Sequence, residues 1–465
     1  MNPISRLLSR GASPFKEQSY VLRLSFPAIF ENLMATLMQL CNMAMVGSLG
    51  PLATATVAVN ASPTWVLNSL VMAVGVGATA LTARFTGAKD SEKAESALGQ
   101  TFLLGLVMGA LLTFLSLFLA PMLPKWLHAD PALYKDATDY MRILCLGFLP
   151  YYMGLSLAAA LRGAGDMRTP MAASGAASLL NILGGFLLVF PSRNISFLGA
   201  SIPMWGAGLG VRGAAVSTAV TTALSGVWLL LHVLNKSSRL RLRISGLRPD
   251  FSLIGRLLKI GIPSALERLS ISLGQVAYIG MVASLGTAQL AAHHLVVTIE
   301  SLSYMPGYGF GAAAATLVGQ AIGAGEPENA RRQAKLCIRL CLITMTITGV
   351  LLYIPAHWWM HLFTTDAAVL MIGASILRIC ALEQPATALH IVSSGALRGA
   401  GDTRVPFVIA LISMWGVRLT LAWLFLNPLH MGIQGAWWAM VADLWFRGLV
   451  TYFRLRKGKW LQAHV

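Results

Sequence analysis

Leu161-Arg-Gly-Ala-Gly-Asp-Met-Arg-Thr-Pro170 returns almost unchanged as Leu397-Arg-Gly-Ala-Gly-Asp-Thr-Arg-Val-Pro406, 236 residues further along the chain. The same offset carries Met45-Val-Gly-Ser-Leu-Gly50 onto Met281-Val-Ala-Ser-Leu-Gly286, Gly87-Ala88 onto Gly323-Ala324, Pro27 onto Pro263 and Glu31 onto Glu267. Register kept at so many separate anchors means one half-molecule written twice. The offset falls to 222 residues between Gly213-Ala214 and Gly435-Ala436, so an extra external loop at residues 193–206 belongs to the first half alone. In an apolar chain such duplication marks a secondary transporter with its site between the repeats.

Composition agrees. Hydrophobic residues make up 56% of the 465 residues and charged ones only 11%, too little charge to cover a water-soluble surface. Residues 1–16 are basic and broken by Pro3, Gly11 and Pro14, which does not read as a cleavable signal. The net charge of +17 has no aromatic-interleaved basic surface behind it, so nucleic acid is not the expected partner. Cys41, Cys145, Cys337, Cys341 and Cys380 all fall in apolar stretches and read as small hydrophobes, with no disulfide or metal spacing.

Twelve apolar spans are predicted, at about 18–46, 52–84, 96–121, 134–160, 168–191, 208–234, 253–283, 287–322, 332–355, 368–396, 404–427 and 432–454. The fold class is therefore an all-α polytopic membrane protein. Its transmembrane helices form two six-helix lobes related by a parallel internal repeat, since six crossings return the chain to its starting side. The lobes are residues 1–235 and 253–465, with a basic linker at 236–252 holding Arg239, Arg241, Arg243 and Arg248. Most Lys and Arg lie on one side, and the opposite loops hold little beyond Lys125, Lys135, Arg193 and Arg212. Both termini are thus expected in the cytoplasm of a bacterial cell, with the chain in its inner membrane and its linker against anionic lipid.

At this point the chain resembles the MATE (multidrug and toxic compound extrusion) family. The resemblance rests on the paired Leu-Arg-Gly-Ala-Gly-Asp-x-Arg-x-Pro loops, on Pro27…Gly50 with its partner Pro263…Gly286, and on the twelve-span plan. It implies a monomeric antiporter without a prosthetic cofactor, exporting amphipathic, cationic small molecules in exchange for H⁺ or Na⁺ by alternating access. It also exposes departures. Many bacterial relatives carry an Asp where Asn42 stands, and another one turn after Asn181, where this chain has Gly185. In one branch the second-lobe coupling acids fall at Ile271 and Thr387, one turn after Glu267 and Glu383.

Energy must come from an ion gradient, because no phosphate-binding Gly-x-x-x-x-Gly-Lys-[Ser/Thr] loop exists. Gly208, Gly210 and Gly213 match a dinucleotide pattern, but with no preceding strand expected they read as turn and packing glycines. Carboxylates at membrane depth cost about 2.5 kcal/mol or more each to insert, so they mark ion sites. Glu31, Glu267, Glu300 and Glu383 are the cation-coupling candidates, concentrated in the second half. Loss of water favours the neutral carboxyl, which lets such a group take and release a proton. Asp443 and Arg447, at i and i+4, read instead as a helix-surface pair.

Gln39, Asn42, Asn181, Gln275, Tyr278, Met281, Tyr304 and Met305 are the candidate substrate-cavity residues: polar, aromatic or deformable at mid-span depth. Arg162, Asp166, Arg168, Arg398, Asp402 and Arg404 are expected to form Asp–Arg networks that fix the inner ends of spans four/five and ten/eleven. His357 and His361 have metal-pair spacing, but their place at a span end reads as interfacial anchoring, so no metal site is predicted. No nucleophile–base set points to an enzyme. A flippase for a lipid-linked saccharide is the alternative, asking for cationic cavity groups such as Arg268, Arg378 and Arg418.

Overall fold

The structure is a computed structural model and describes residues 14–127, 129–197, 200–235, 238–243 and 247–462. Helices fill the predicted spans: α1 (Pro14–Gly47), α2 (Pro51–Gly87), α3 (Ser91–Leu119), α4 (Tyr134–Gly163), α5 (Arg168–Val189), α6 (Gly210–Leu234) and α7 (Phe251–Ala283). Next come α8a (Thr287–Ser303) with α8b (Met305–Gly323), and α9 (Pro327–Tyr353). α10a (Ala367–Ala381) with α10b (Gln384–Ala400), then α11 and α12 (Gly432–Arg456), complete the order. α11 runs as Arg404–Leu411, a π-helical stretch Ile412–Arg418, and Leu419–Leu426. Among the described residues eight helices are long and apolar enough to cross a membrane, or nine when α10a and α10b count as one bent span.

Three features depart from the sequence reading. The span predicted at 287–322 breaks at Tyr304, ahead of Pro306, and that at 368–396 bends by 48° ahead of Pro385. Proline lacks the N–H of the helical ladder and crowds the preceding turn, so the break falls where it stands. The loop at 193–206 is part of an antiparallel hairpin, β1 (Pro191–Phe197) with β2 (Ala200–Ala207). A strand therefore does precede the glycine triplet, but it pairs only within a hairpin and builds no dinucleotide fold. Gly208 and Gly210 adopt φ of 65° and 58°, as turn glycines do.

The chain divides into two compact units. One contains residues 30–78 and 91–257; the other contains the chain up to Ile29, residues 79–90 and everything from Leu258 on. α1, α2 and α7 each have residues in both units.

Within the first unit, α4 packs on α6 through glycines: a Cβ at Gly147 would meet the Ala219 backbone, and one at Gly226 the Pro150 carbonyl. Within the second, Gly395 and Gly399 of α10b lie against the Gly311 and Ala315 backbones of α8b. Small residues let helix backbones approach closely where lipid supplies no hydrophobic drive between helices. The second unit's core holds Tyr278, Trp437, Leu377 and Met360, all fully buried. Outward faces stay apolar: Phe114 and Phe118 of α3 are exposed, as suits contact with lipid.

Candidate functional site

Both helix breaks carry an acid. Glu300 sits one turn before the end of α8a, and Glu383 occupies the junction between α10a and α10b. Broken helices at membrane depth are where transporters place ion sites, since the interruption frees polar groups in a dry interior. Glu300 is 7% exposed and Glu383 fully buried, and a carboxylate oxygen of one lies within 4.8 Å of an oxygen of the other. The Cys380 thiol donates to Glu383 Oε1 at 3.9 Å, while Glu383 Oε2 makes no hydrogen bond. Ser303 Oγ donates to Gln384 Oε1 at 3.0 Å, tying the two breaks together. One oxygen from each acid and the thiol sulfur all lie within 4.8 Å of one another. The sequence pattern predicted no metal-ligating set and treated Cys380 as a plain hydrophobe; the bend in α10 places it beside the acids.

Behind this pair lies a second charged cluster, and here the surface-pair reading of Asp443 is corrected. Asp443 is fully buried on α12, bonded by Arg418 Nε at 2.8 Å, by Arg447 at 3.0 and 3.1 Å, and by the Ser413 hydroxyl. Arg418 also donates to Gln275 Oε1 at 3.1 Å and lies 5.8 Å from the centre of the Tyr278 ring. The i, i+4 spacing with Arg447 is present, but the π-helical stretch of α11 turns Arg418 inward and encloses the pair. Each turn of π-helix takes up an additional residue. At the 236-residue offset Asn181 maps onto Val417, next to Arg418.

Asn181 is also fully buried, but its surroundings are neutral: it donates to Thr218 and Thr221 hydroxyls at 3.1 and 3.2 Å. Thr221 is the counterpart of Asp443 at the 222-residue offset. The same place in the repeat is thus an uncharged hydroxyl network in one unit and an Arg–Asp–Arg cluster in the other.

Glu31 and Glu267 do not join the acid pair. Glu31 accepts from Arg162 Nη1 at 3.0 and 3.2 Å, and Glu267 from Arg398 Nη2 at 2.7 Å. The two pairs are equivalent under the repeat, each spanning 131 residues. The loop motif's arginines therefore reach an acid on the first helix of their own half, not the motif's aspartates. Asp166 caps α5, accepting from the backbone N–H groups of Arg168 and Thr169, and Asp402 pairs with Arg454 of α12 at 2.8 Å. Arg168 and Arg404 are exposed. Gly165 and Gly401 take φ of 84° and 90°, the left-handed turn that the motif's second glycine serves.

The cavity candidates scatter. In the first unit Gln39 is exposed, and Asn42 is half-buried with its Oδ1 unbonded; a Cβ at Gly185 would stand 3.5 Å from that oxygen. In the second, Gln275 is held by Arg418, Tyr278 is enclosed in the core beside His293, and Met281 packs on that core. Tyr304 and Met305 flank the α8 break, with Tyr304 edge-on to Tyr308. The missed residues, Ser303, Cys380 and Gln384, share one legible signal: Pro306 and Pro385 interrupting apolar runs.

Comparison with known proteins agrees with this architecture. The MatE family model matches residues 27–187 and 263–424, two segments one repeat apart. A probable multidrug resistance protein NorM of Thermotoga maritima is 28% identical over 445 residues, covering 96% of this chain and 93% of that one. The multidrug resistance protein NorM of Burkholderia vietnamiensis is 30% identical, covering 91% and 90%. A MATE crystal structure in complex with MaD3S matches with a TM-score of 0.88 over 98% of both chains at 22% identity. An outward-facing conformation of a multidrug resistance MATE transporter matches equally well. With both halves matched, the chain belongs to the MatE family and is a multi-pass multidrug efflux transporter of small molecules, not an enzyme.

Proposed function

We propose that this transporter is an antiporter in the bacterial inner membrane, exporting amphipathic, cationic compounds in exchange for H⁺ or Na⁺. It works as a monomer with both termini in the cytoplasm and needs no prosthetic cofactor. The observation that carries the reading is the Glu300–Glu383 pair: two buried carboxyls at two helix breaks, with an oxygen left unbonded. Two like charges this close do not both ionise without a cation between them, so the pair holds a proton or a small metal ion in exchange. Glu31 and Glu267, each held by an arginine, serve as anchors of their lobes.

Substrate contacts fall to Gln39, Asn42 and Asn181 in one lobe and Gln275, Met281, Tyr304 and Met305 in the other. Alternating access proceeds by rocking of the lobes. A lipid-linked saccharide flippase fits less well, since Arg418, the most deeply buried of its three candidate cations, is neutralised by Asp443. The test is dye efflux from vesicles with pH and Na⁺ gradients imposed separately. Glu300→Gln and Glu383→Gln should each abolish gradient-driven efflux while inserting normally. Undiminished efflux in both would refute the reading.

A further inference from the structure

The coupling reading uses only the two carboxyls, and leaves the Cys380 thiol without a purpose. A proton or Na⁺ gains little from a neutral sulfur, which is a poor ligand for a hard cation. Yet Cys380 is fully buried in the last turn of α10a, hydrogen-bonded to one of the very acids that face the break. Its sulfur and one oxygen from each of Glu300 and Glu383 lie within 4.8 Å of one another. Ligand atoms around a single zinc-sized ion stand about 3.4 to 3.8 Å apart, given bonds of about 2.1 to 2.3 Å. The set therefore closes on an ion with side-chain adjustments of about 1 Å. One observation besides the clustering points to a ligand: Glu383 Oε2, an acceptor, is buried and unbonded.

We propose that Glu300, Cys380 and Glu383 form a binding site for a thiophilic divalent cation, of the Zn²⁺ or Cd²⁺ class, that competes with the coupling ion. Charge supports the choice. The groups facing the site are Arg418 from α11, Asp443 from α12, Tyr278 from α7 and Tyr304 at the α8 break, and Arg447 of α12 pairs with Asp443. With one proton shared by the two glutamates and the thiol neutral, the two arginines balance one glutamate and Asp443. A divalent ion that displaces both the shared proton and the thiol proton to solvent leaves the cluster neutral again. Two carboxylates, Asp443 and a thiolate then face two arginines and the dication. Binding is an exchange of one dication for about two protons, and apparent affinity rises with pH. A Na⁺ ion replaces only the shared proton and leaves the sulfur unused.

The experiment uses the full chain in detergent micelles, titrated with Cd²⁺ and followed by the thiolate-to-cadmium charge-transfer band and by proton release into weak buffer. The background protein carries Cys337→Ser and Cys341→Ser, because those two thiols lie one turn apart on α9. That background should bind one Cd²⁺ with release of about two protons. Glu300→Gln should weaken binding by more than roughly 100-fold, beyond the 10- to 100-fold typical of outer-shell changes. Cys380→Ser and Cys380→Ala, checked for a monodisperse elution profile, should lose the band. No band in the background protein, or an undiminished band in either folded Cys380 variant, overturns the proposal. The inference rests on the coupling reading but fails separately from it. Lost efflux in Glu383→Gln with no Cd²⁺ band removes the metal site alone, and a Cd²⁺ band with intact efflux in Glu383→Gln removes the coupling role alone.

Discussion

Replacing Arg398 by glutamine should destabilise the protein more than replacing Arg162, although the two residues occupy the same place in the repeat. The difference is worked from burial. Glu267 is 3% exposed and its second oxygen has no hydrogen bond, so without Arg398 it is left as an uncompensated buried charge. At 2.7 Å the gross attraction is about 6 kcal/mol at an effective dielectric near 20. Breaking a buried pair costs about 3–5 kcal/mol, and solvent at Arg398, which is 31% exposed, lowers this to roughly 2–3 kcal/mol. Glu31 and Arg162 are 18% and 19% exposed. Water reaches both partners there, and the loss should be roughly 1–2 kcal/mol.

The assay is a double-mutant cycle for each pair, read by tryptophan fluorescence during denaturation in mixed micelles. Arg398→Gln alone should cost more than the combined Glu267→Gln and Arg398→Gln change, because the double variant leaves no bare charge. Additive single effects, or an equal loss at Arg162 and Arg398, would refute the reasoning. The combined variant should also retain gradient-driven efflux. If it folds but does not couple, Glu267 belongs with the coupling acids after all.

Other outcomes follow from the same geometry. Asp443→Asn should cost about 3–5 kcal/mol by leaving two buried arginines facing each other, measured in the same micelle assay; a change under about 1 kcal/mol would show the cluster to be solvated. Gly399→Ala should cost about 1–3 kcal/mol, since its methyl would meet the Ala315 backbone and α8b must shift, whereas Gly325→Ala meets nothing and is opposed only by its φ of 74°. Pro385→Ala should restore a helical hydrogen bond near the bend, and spin-label distances between α10a and α10b should lengthen as the 48° angle opens. Unchanged distances would mean that packing, not proline, sets the bend.

How much could be read from the chain depended on whether the signal was local. The duplicated Leu-Arg-Gly-Ala-Gly-Asp loops, the glycine turns at Gly165 and Gly401, and the spans themselves were legible, because a repeat and a hydrophobic run are properties of sequence order alone. Glu300 and Glu383 were visible as costly acids in apolar surroundings. Their meeting was not, because 83 residues and two helix breaks separate them. Pro306 and Pro385 marked those breaks but read as ordinary span residues.

Tertiary structure decided which charges are neutralised. Glu31 and Glu267 resemble Glu300 and Glu383 in sequence, yet an arginine from a distant loop holds each of the first two, while the latter two lie within 4.8 Å of each other. Asp443 looked like half of a surface pair until the π-helical stretch of α11 brought Arg418 against it. Cost of insertion is written in each residue's type and depth, so the sequence alone picked out the acids. Compensation depends on which partner lies within about 3 Å, and only the packed helices determine that.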